Sequence, residues 1–197
     1  MSWKRRLADA ILPDRIARPL EPSLRREILG LENLRSDWRL DELREFDELK
    51  SSAWRGLASL GYEVVRHYKP KLAVELGTHT GMSALAMGLA MRDLGEGGKL
   101  YAVDTWQGDE QAGRYDDSVY TTFLDRCQRL KLDGVIVPLR MTFDEARGHV
   151  PTLVDMLHID GLHTWEAVTH DWGIFGPLWS APEAWSCFMM WRVTIKI

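Results

Sequence analysis

Asp160 and His163 stand three residues apart in "MLHIDGLHTWEAV", where a short apolar run ends and a helix-like pattern begins. Deprotonating an alcohol at neutral pH needs a base titrating near 7 or a cation that stabilises the alkoxide, and this corner carries the side chains for either. An oxygen-ligated cation wants several hard donors converging from different loops, so Asp160 alone makes no metal site. The same letters also read as a capped turn: Asp160 closes it, His163 and Thr164 start the helix, and His170 and Asp171 are surface residues one or two turns later. His158, His170 and Asp171 are assigned to structure rather than chemistry.

A second group lies in "VELGTHTGMSA". Gly77 and Gly81 allow a tight turn and a close approach of a ligand to the backbone, and the N–H groups that open the next helix offer a polar cradle. Glu75 precedes Gly77 by two residues, and Asp104 ends the run "KLYAVD", where it is placed to accept hydrogen bonds from both hydroxyls of a ribose. The dinucleotide pattern G-x-G-x-x-G lacks its middle glycine, with His79 in that place. That departure disfavours a nicotinamide-dependent oxidoreductase, which stays as an alternative.

The elements that must hold these residues follow from periodicity. "KLAVELG", "KLYAVDTW", "GVIVPLRM" and "VDMLHID" are short runs apolar on both faces, and "MSALAMGLAMRDLG", "VYTTFLDRCQRLKL", "FDEARGHV" and "TWEAVTHDWGIFGPLW" alternate with them as helices. Strands of that kind, separated by helices, predict an α/β fold: a Rossmann-like three-layer sandwich with a mostly parallel sheet. Ligands sit at the carboxyl ends of such strands, which is where Glu75, Gly77, Asp104 and Asp160 all fall. Before the first strand, a helix from Ser51 to Pro70 is expected to carry Trp54, Leu57, Gly61, Val64, Val65 and Tyr68 on one face. In the last helix Trp165, Val168, Trp172 and Phe175 are expected to face inward. The loop "TWQGDEQAGRYDD" reads either as a solvated connection or as a lid.

With 197 residues and 22.6 kDa the chain suits one domain with an extension. Residues 1–50 read as a helical extension, with a stripe of Leu40, Leu43, Phe46 and Leu49; 51–183 form the domain; 184–197 form a tail. A net charge of -4 and a pI of about 5.9 give no electrostatic reason to expect nucleic acid. No stretch approaches a membrane span, and the opening apolar run is broken by Asp9, Pro13 and Asp14 before it could serve as a signal core. Trp3, Leu7 and Ile11 fit a helix docked on its own domain, with a membrane or partner surface as the alternative. The two cysteines, Cys127 and Cys187, have no metal-ligand spacing, and the chain suits a reducing cytoplasm.

The set Glu75, Gly77, Gly81 and Asp104 resembles the cofactor motif of class I S-adenosylmethionine-dependent methyltransferases. "YAVDTWQGDEQAG", "LRMTFDEA" and "MLHIDGLHTWEAV" extend the resemblance over about residues 71 to 180, toward a bacterial O-methyltransferase-like family associated with glycan and polysaccharide enzymes. The resemblance implies S-adenosylmethionine as cofactor, with Glu75, Gly77 and Gly81 along its methionine portion, Asp104 at the ribose, and Thr78, His79 and Thr105 as further cofactor-binding residues. It implies O-methylation of a small-molecule or saccharide hydroxyl, with His163 as the base and Asp160 as a ligand of a divalent cation, usually magnesium. A truncated, non-catalytic cofactor-binding or scaffold protein is the alternative of another class. The cation's other acidic ligands would follow a fifth strand beyond Pro182.

The tail "EAWSCFMMWRVTIKI" fits neither the alternation nor that family, having no acid at a strand's end. Its codons, shifted by one restored base after Glu183, spell Gly, then Val/Leu/Met, Val, Val/Leu/Met, Phe/Leu, His/Tyr, Asp, Val, Ala. That is a glycine turn, an apolar strand and a terminal acid. Residues 184–197 are therefore expected to be a shifted frame, with the last strands missing and an open sheet edge that invites homo-oligomers; a genuine Met-rich last strand is the alternative.

Overall fold

The computed structural model describes residues 40–47, 49, 52, 54, 57–110, 113–178 and, for the backbone alone, 187–189. All of them belong to one compact unit, Asp37–Ile197. The expected helix of Trp3, Leu7 and Ile11 and the end of the tail lie outside the described residues.

Among the described residues five parallel strands carry the domain: β1 (Leu72–Leu76), β2 (Lys99–Asp104), β5 (Ile136–Arg140), β6 (Met156–Ile159) and β7 (Cys187–Met189). Their spatial order is β5-β2-β1-β6-β7, and β3 (Gly108–Asp109) pairs with β4 (Gly113–Arg114) in a separate antiparallel hairpin. The chain runs outward from β1 through β2 to β5 and then crosses back to β6 on the other side of β1. The crevice at this reversal opens between the carboxyl ends of β1 and β6. β7 pairs in parallel with β6, His158 opposite Phe188, so the tail occupies the fifth-strand slot.

Alternation along each strand sends side chains to two cores. Ala73, Leu100, Ala102 and Met156 face α2 (Ala58–Tyr68), α3 (Met82–Leu94) and α4 (Asp117–Arg129), whereas Val74, Leu76, Val103, Leu157 and Ile159 face α5 (Phe143–Ala146) and α6 (Trp165–Phe175). α3 is apolar on every side, and all of Met82 to Met91 is buried between the sheet and α2. Leu40, Leu43, Phe46 and Leu49 are buried in the same core around α1 (Asp41–Arg44), so this stripe closes the domain instead of standing on an extension that ends at residue 50.

Two details differ from the periodicity. The helix expected from Ser51 begins at Ala58, and Trp54 sits in the preceding turn, where the Leu57 N–H donates to its carbonyl. The helix ends as expected, with Lys69 in the left-handed region just before Pro70. Trp165 is 72% exposed although Val168 and Phe175 of the same stripe are buried. Thr164 caps this helix, making Trp165 its first residue, past the strand ends where no sheet lies beneath it.

Candidate functional site

The two turns singled out in the sequence meet at the crevice. Gly77 has φ +94°, and a Cβ built there would lie 2.3 Å from the Asp160 carbonyl oxygen. The Asp160 N–H donates to the Leu76 carbonyl at 2.7 Å and the Gly77 N–H to the Val103 carbonyl at 2.9 Å, so the ends of β6, β1 and β2 are tied in series. Gly81, at φ +89°, starts α3, with the ring of Phe123 where a side chain would be.

His79 adopts φ +50°, the left-handed region that glycine enters without strain and that histidine tolerates better than most residues. Its N–H donates to Asp104 Oδ2 at 2.8 Å, and the Trp106 N–H donates to Asp104 Oδ1 at 2.7 Å. The Trp106 indole returns the link by donating to the His79 carbonyl at 2.8 Å. Asp104 therefore staples the glycine turn to the end of β2 and keeps lone pairs on both oxygens for further donors. Burial holds the His79 imidazole below its usual pKa, against the pull of Asp104, Asp109 and Asp160. Its ring stacks on Tyr115, 4.7 Å between centroids and 14° between planes, which anchors the chain leaving the β3–β4 hairpin.

Glu75 is not at the surface of this crevice. Its side chain is fully buried beneath the turn, with Oε2 accepting from the Thr78 hydroxyl at 3.0 Å and Oε1 paired with His158 Nδ1 at 2.9 Å. The sequence assignment of His158 to structure matches this placement. Asp160 and His163 do come together: His163 Nε2 lies 3.0 Å from Asp160 Oδ1. That hydrogen bond, more than burial opposes it, holds the His163 imidazole above its usual pKa. Asp160 Oδ2 accepts from the indole N–H of Trp54 at 2.7 Å.

These groups line one cleft of about 880 Å³, within the range of small-molecule and cofactor sites. Gly77, Thr78, His79, Asp104, Thr105, Asp160 and His163 all face it. So do Trp54, Thr142 and Phe143, to which the sequence assigned no chemical role, and Asp109 and Tyr115 of the loop read as a solvated connection or a lid. Thr142 and Glu145 form a capping box that starts α5 and sets Phe143 against Gly161. The pattern Thr-x-x-Glu was the available signal for Thr142 and the polar loop for Tyr115; Trp54 had none, because a turn brings it in.

A family model described as a methyltransferase domain matches residues 74–185, more than half of the chain. The chain belongs to this methyltransferase domain family. A stretch of 123 residues is 37% identical to an uncharacterized protein, y4gI, of Sinorhizobium fredii (strain NBRC 101917 / NGR234), covering 61% of this chain and 13% of that one. The methyltransferase chain thus spans about an eighth of that relative's length. Among solved structures, a protein assigned as a caffeoyl-CoA O-methyltransferase from Staphylococcus aureus has a TM-score of 0.57 at 16% identity, covering 78% of this chain and 68% of its own. The O-methyltransferase TomG of Streptomyces achromogenes, involved in tomaymycin synthesis and solved with S-adenosylmethionine, gives 0.52 at 15%, covering 73% and 60%. The S-adenosylhomocysteine-bound methyltransferase PaMTH1 of Podospora anserina gives 0.54 at 12%, covering 81% and 67%. At these identities the likeness establishes the Rossmann-like α/β fold. No helix among the described residues is long and apolar enough to cross a membrane.

One acid of the last described α-helix, Asp171, differs from the sequence expectation. His170 lies at the surface as expected, 2.9 Å from Asp144, but Asp171 is only 5% exposed, beside Gly161 on the inner side of α6. Burial pushes its carboxyl up to about 6. Below pH 3.8 the proton is bound in folded and unfolded chains alike; between 3.8 and about 6 only the unfolded chain releases it, so stability falls as pH rises, and above 6 the whole penalty applies. Asp171→Asn is expected to stabilise the fold by about 2–3 kcal/mol at pH 8 and by little near pH 4. Urea unfolding at both pH values checks this, and an equal effect at both contradicts the buried-charge account.

Proposed function

We propose that the chain is an S-adenosylmethionine-dependent methyltransferase acting on a hydroxyl of a small molecule or saccharide. The observation that carries this reading is the Asp104 staple: the acid at the end of β2 clasps the backbone of the glycine turn at the end of β1, within a domain of the methyltransferase family. Gly77 supports a cofactor seated at the turn, since only a residue without a Cβ leaves the backbone there open and close to β6. In this reading Gly77, Thr78 and His79 hold the methionine portion, Asp104 and Thr105 the ribose, Gly81 shapes the turn against the Phe123 ring from outside the cleft lining, and Glu75 acts from below by fixing Thr78. When bound, the cofactor supplies an electrophilic methyl on a sulfonium. His163 would take the proton of the acceptor hydroxyl, whose oxygen would gain the methyl as the methyl–sulfur bond breaks and S-adenosylhomocysteine leaves, and the cleft would contribute chiefly by positioning.

Asp160, the candidate cation ligand, faces the cleft. One carboxylate oxygen receives the indole N–H and the other is paired with His163, and among the described residues no three metal-capable side chains converge. The tail in which the completing acids were expected has none after Glu183, so no step is routed through a cation. The tail itself we read as a shifted frame: the family match stops at residue 185, next to the codon where a restored base returns a Gly-strand-Asp pattern. Resequencing the DNA around codon 184 tests it, and an unbroken frame with no family-like text in the shifted one ends the idea.

Isothermal titration with S-adenosylhomocysteine tests the function. Asp104→Ala is expected to weaken binding about 10- to 100-fold, the scale of losing charge-assisted hydrogen bonds to two hydroxyls. A folded wild-type sample that does not bind overturns the cofactor assignment.

A further inference from the structure

Among the described residues four that are not glycine have positive φ: Lys69, His79, Trp106 and Lys131. Lys69 caps α2 and Lys131 follows the end of α4, where left-handed backbone is an ordinary way to close a helix. His79 and Trp106 end no helix, and they clasp each other across the ends of β1 and β2. The His79 N–H donates to Asp104 Oδ2 and its carbonyl accepts from the Trp106 indole, each at 2.8 Å. The backbone is thereby held in a conformation that costs free energy for a residue with a Cβ. Glycine would adopt the same φ without that cost and would leave the cleft without the imidazole. With the backbone fixed, two side-chain torsions decide where the ring lies.

Tyr115 sets those torsions. Its ring lies nearly parallel to that of His79, 4.7 Å between centroids and 14° between planes, and both side chains line the cleft. Tyr115 is held in turn. Its N–H donates to the Gln107 carbonyl at 3.1 Å, and the neighbouring Asp116 caps α4. Trp106, just before Gln107, is fully buried against Tyr120 and Phe123 of the same helix. We propose that Tyr115 is a positioning residue for the cofactor: stacked on His79, it holds the imidazole as a preset wall at the methionine end of the cleft, and the left-handed backbone of His79 is kept for that wall. The assignment rests on the S-adenosylmethionine reading of the glycine turn. A ring already fixed loses little rotamer freedom when a ligand settles against it, so the stack adds affinity through His79.

Isothermal titration of the full chain with S-adenosylhomocysteine, together with urea unfolding, separates this role from a structural one. Tyr115→Leu is expected to weaken binding about five- to tenfold, the scale of one aromatic pair, and Tyr115→Phe, which keeps the stack, to stay within about twofold of wild type. His79→Gly is expected to weaken binding to a similar degree while its urea midpoint holds or rises, because relief of the left-handed backbone offsets the lost stack. Combined with His79→Gly, Tyr115→Leu should cost less than about twofold more, since it acts through a ring that is gone. Tyr115→Phe binding as weakly as Tyr115→Leu, or additive losses in the double variant, overturns the proposal. Should Tyr115→Leu fail to fold, His79→Gly decides alone: an affinity within about twofold of wild type overturns it. A folded wild-type chain that does not bind S-adenosylhomocysteine sinks the cofactor reading and this proposal with it. A wild type that binds, with variants that match it, leaves the reading standing and overturns only the role of Tyr115.

Discussion

Gly77→Ala is expected to destabilise the domain by at least about 3 kcal/mol and to abolish S-adenosylhomocysteine binding. Two costs add at this position. Left-handed backbone costs a residue bearing a Cβ about 1–2 kcal/mol, and the new methyl would sit 2.3 Å from the Asp160 oxygen, 2.6 Å from its carbonyl carbon and 2.8 Å from the Gly161 nitrogen. All three are backbone atoms, so no side-chain rotation relieves the overlap. β1 and β6 would have to part at their carboxyl ends, breaking the Asp160 N–H to Leu76 carbonyl bond of 2.7 Å and spoiling the cleft they frame. Gly95→Ala is the control: its φ of +66° carries the conformational cost alone, with nothing within 4 Å of the added methyl, and it should cost about 1 kcal/mol. Urea titration of both variants separates the two costs. Equal midpoints would mean that the β1 and β6 turns do not approach as closely as described.

The strands and the glycine turn were legible because their residues carry local signals. Runs apolar on both faces mark strands covered on both sides, and "VELGTHTG", "AVD" and "HID" each end such a run, so the strand ends that form the crevice could be placed without knowing the strand order. His79 was visible as a missing glycine. Its φ of +50° and its stack on Tyr115 depend on a hairpin 30 residues on and leave no mark in the letters. Trp54 fitted a helical stripe and was placed on it, whereas the turn ahead of Ala58 points its indole at Asp160. Asp171 and Trp165 were exchanged in burial for one reason. Helical spacing names a face, but which part of that face has sheet beneath it depends on where the helix starts relative to the strand ends. Long-range packing also brought Leu40, Leu43, Phe46 and Leu49 into the domain, a stripe too short to declare its partner.

Glu75 and His158 set the second large expectation, because both side chains are fully buried on neighbouring strands, in register opposite each other. His158→Leu is expected to cost about 3–5 kcal/mol, since it strips Glu75 Oε1 of the imidazole while the carboxylate stays buried with the Thr78 hydroxyl. Glu75→Gln should cost about 1 kcal/mol: the amide oxygen still accepts from Thr78, and its NH2 donates to His158 once the imidazole shifts its proton to the other nitrogen. Replacing both by leucine should recover part of the single loss, because a matched apolar pair leaves no charge to desolvate. The pair also links strand interior to site. Thr78 rests on Glu75 and Trp54 rests on His158, so one broken contact loosens both walls of the cleft. S-adenosylhomocysteine affinity should therefore fall with stability in His158→Leu and return in part in the double variant. If the single change were as mild as Glu75→Gln, the buried carboxylate would have found another donor, and the account of Glu75 as a strut beneath the glycine turn would fail.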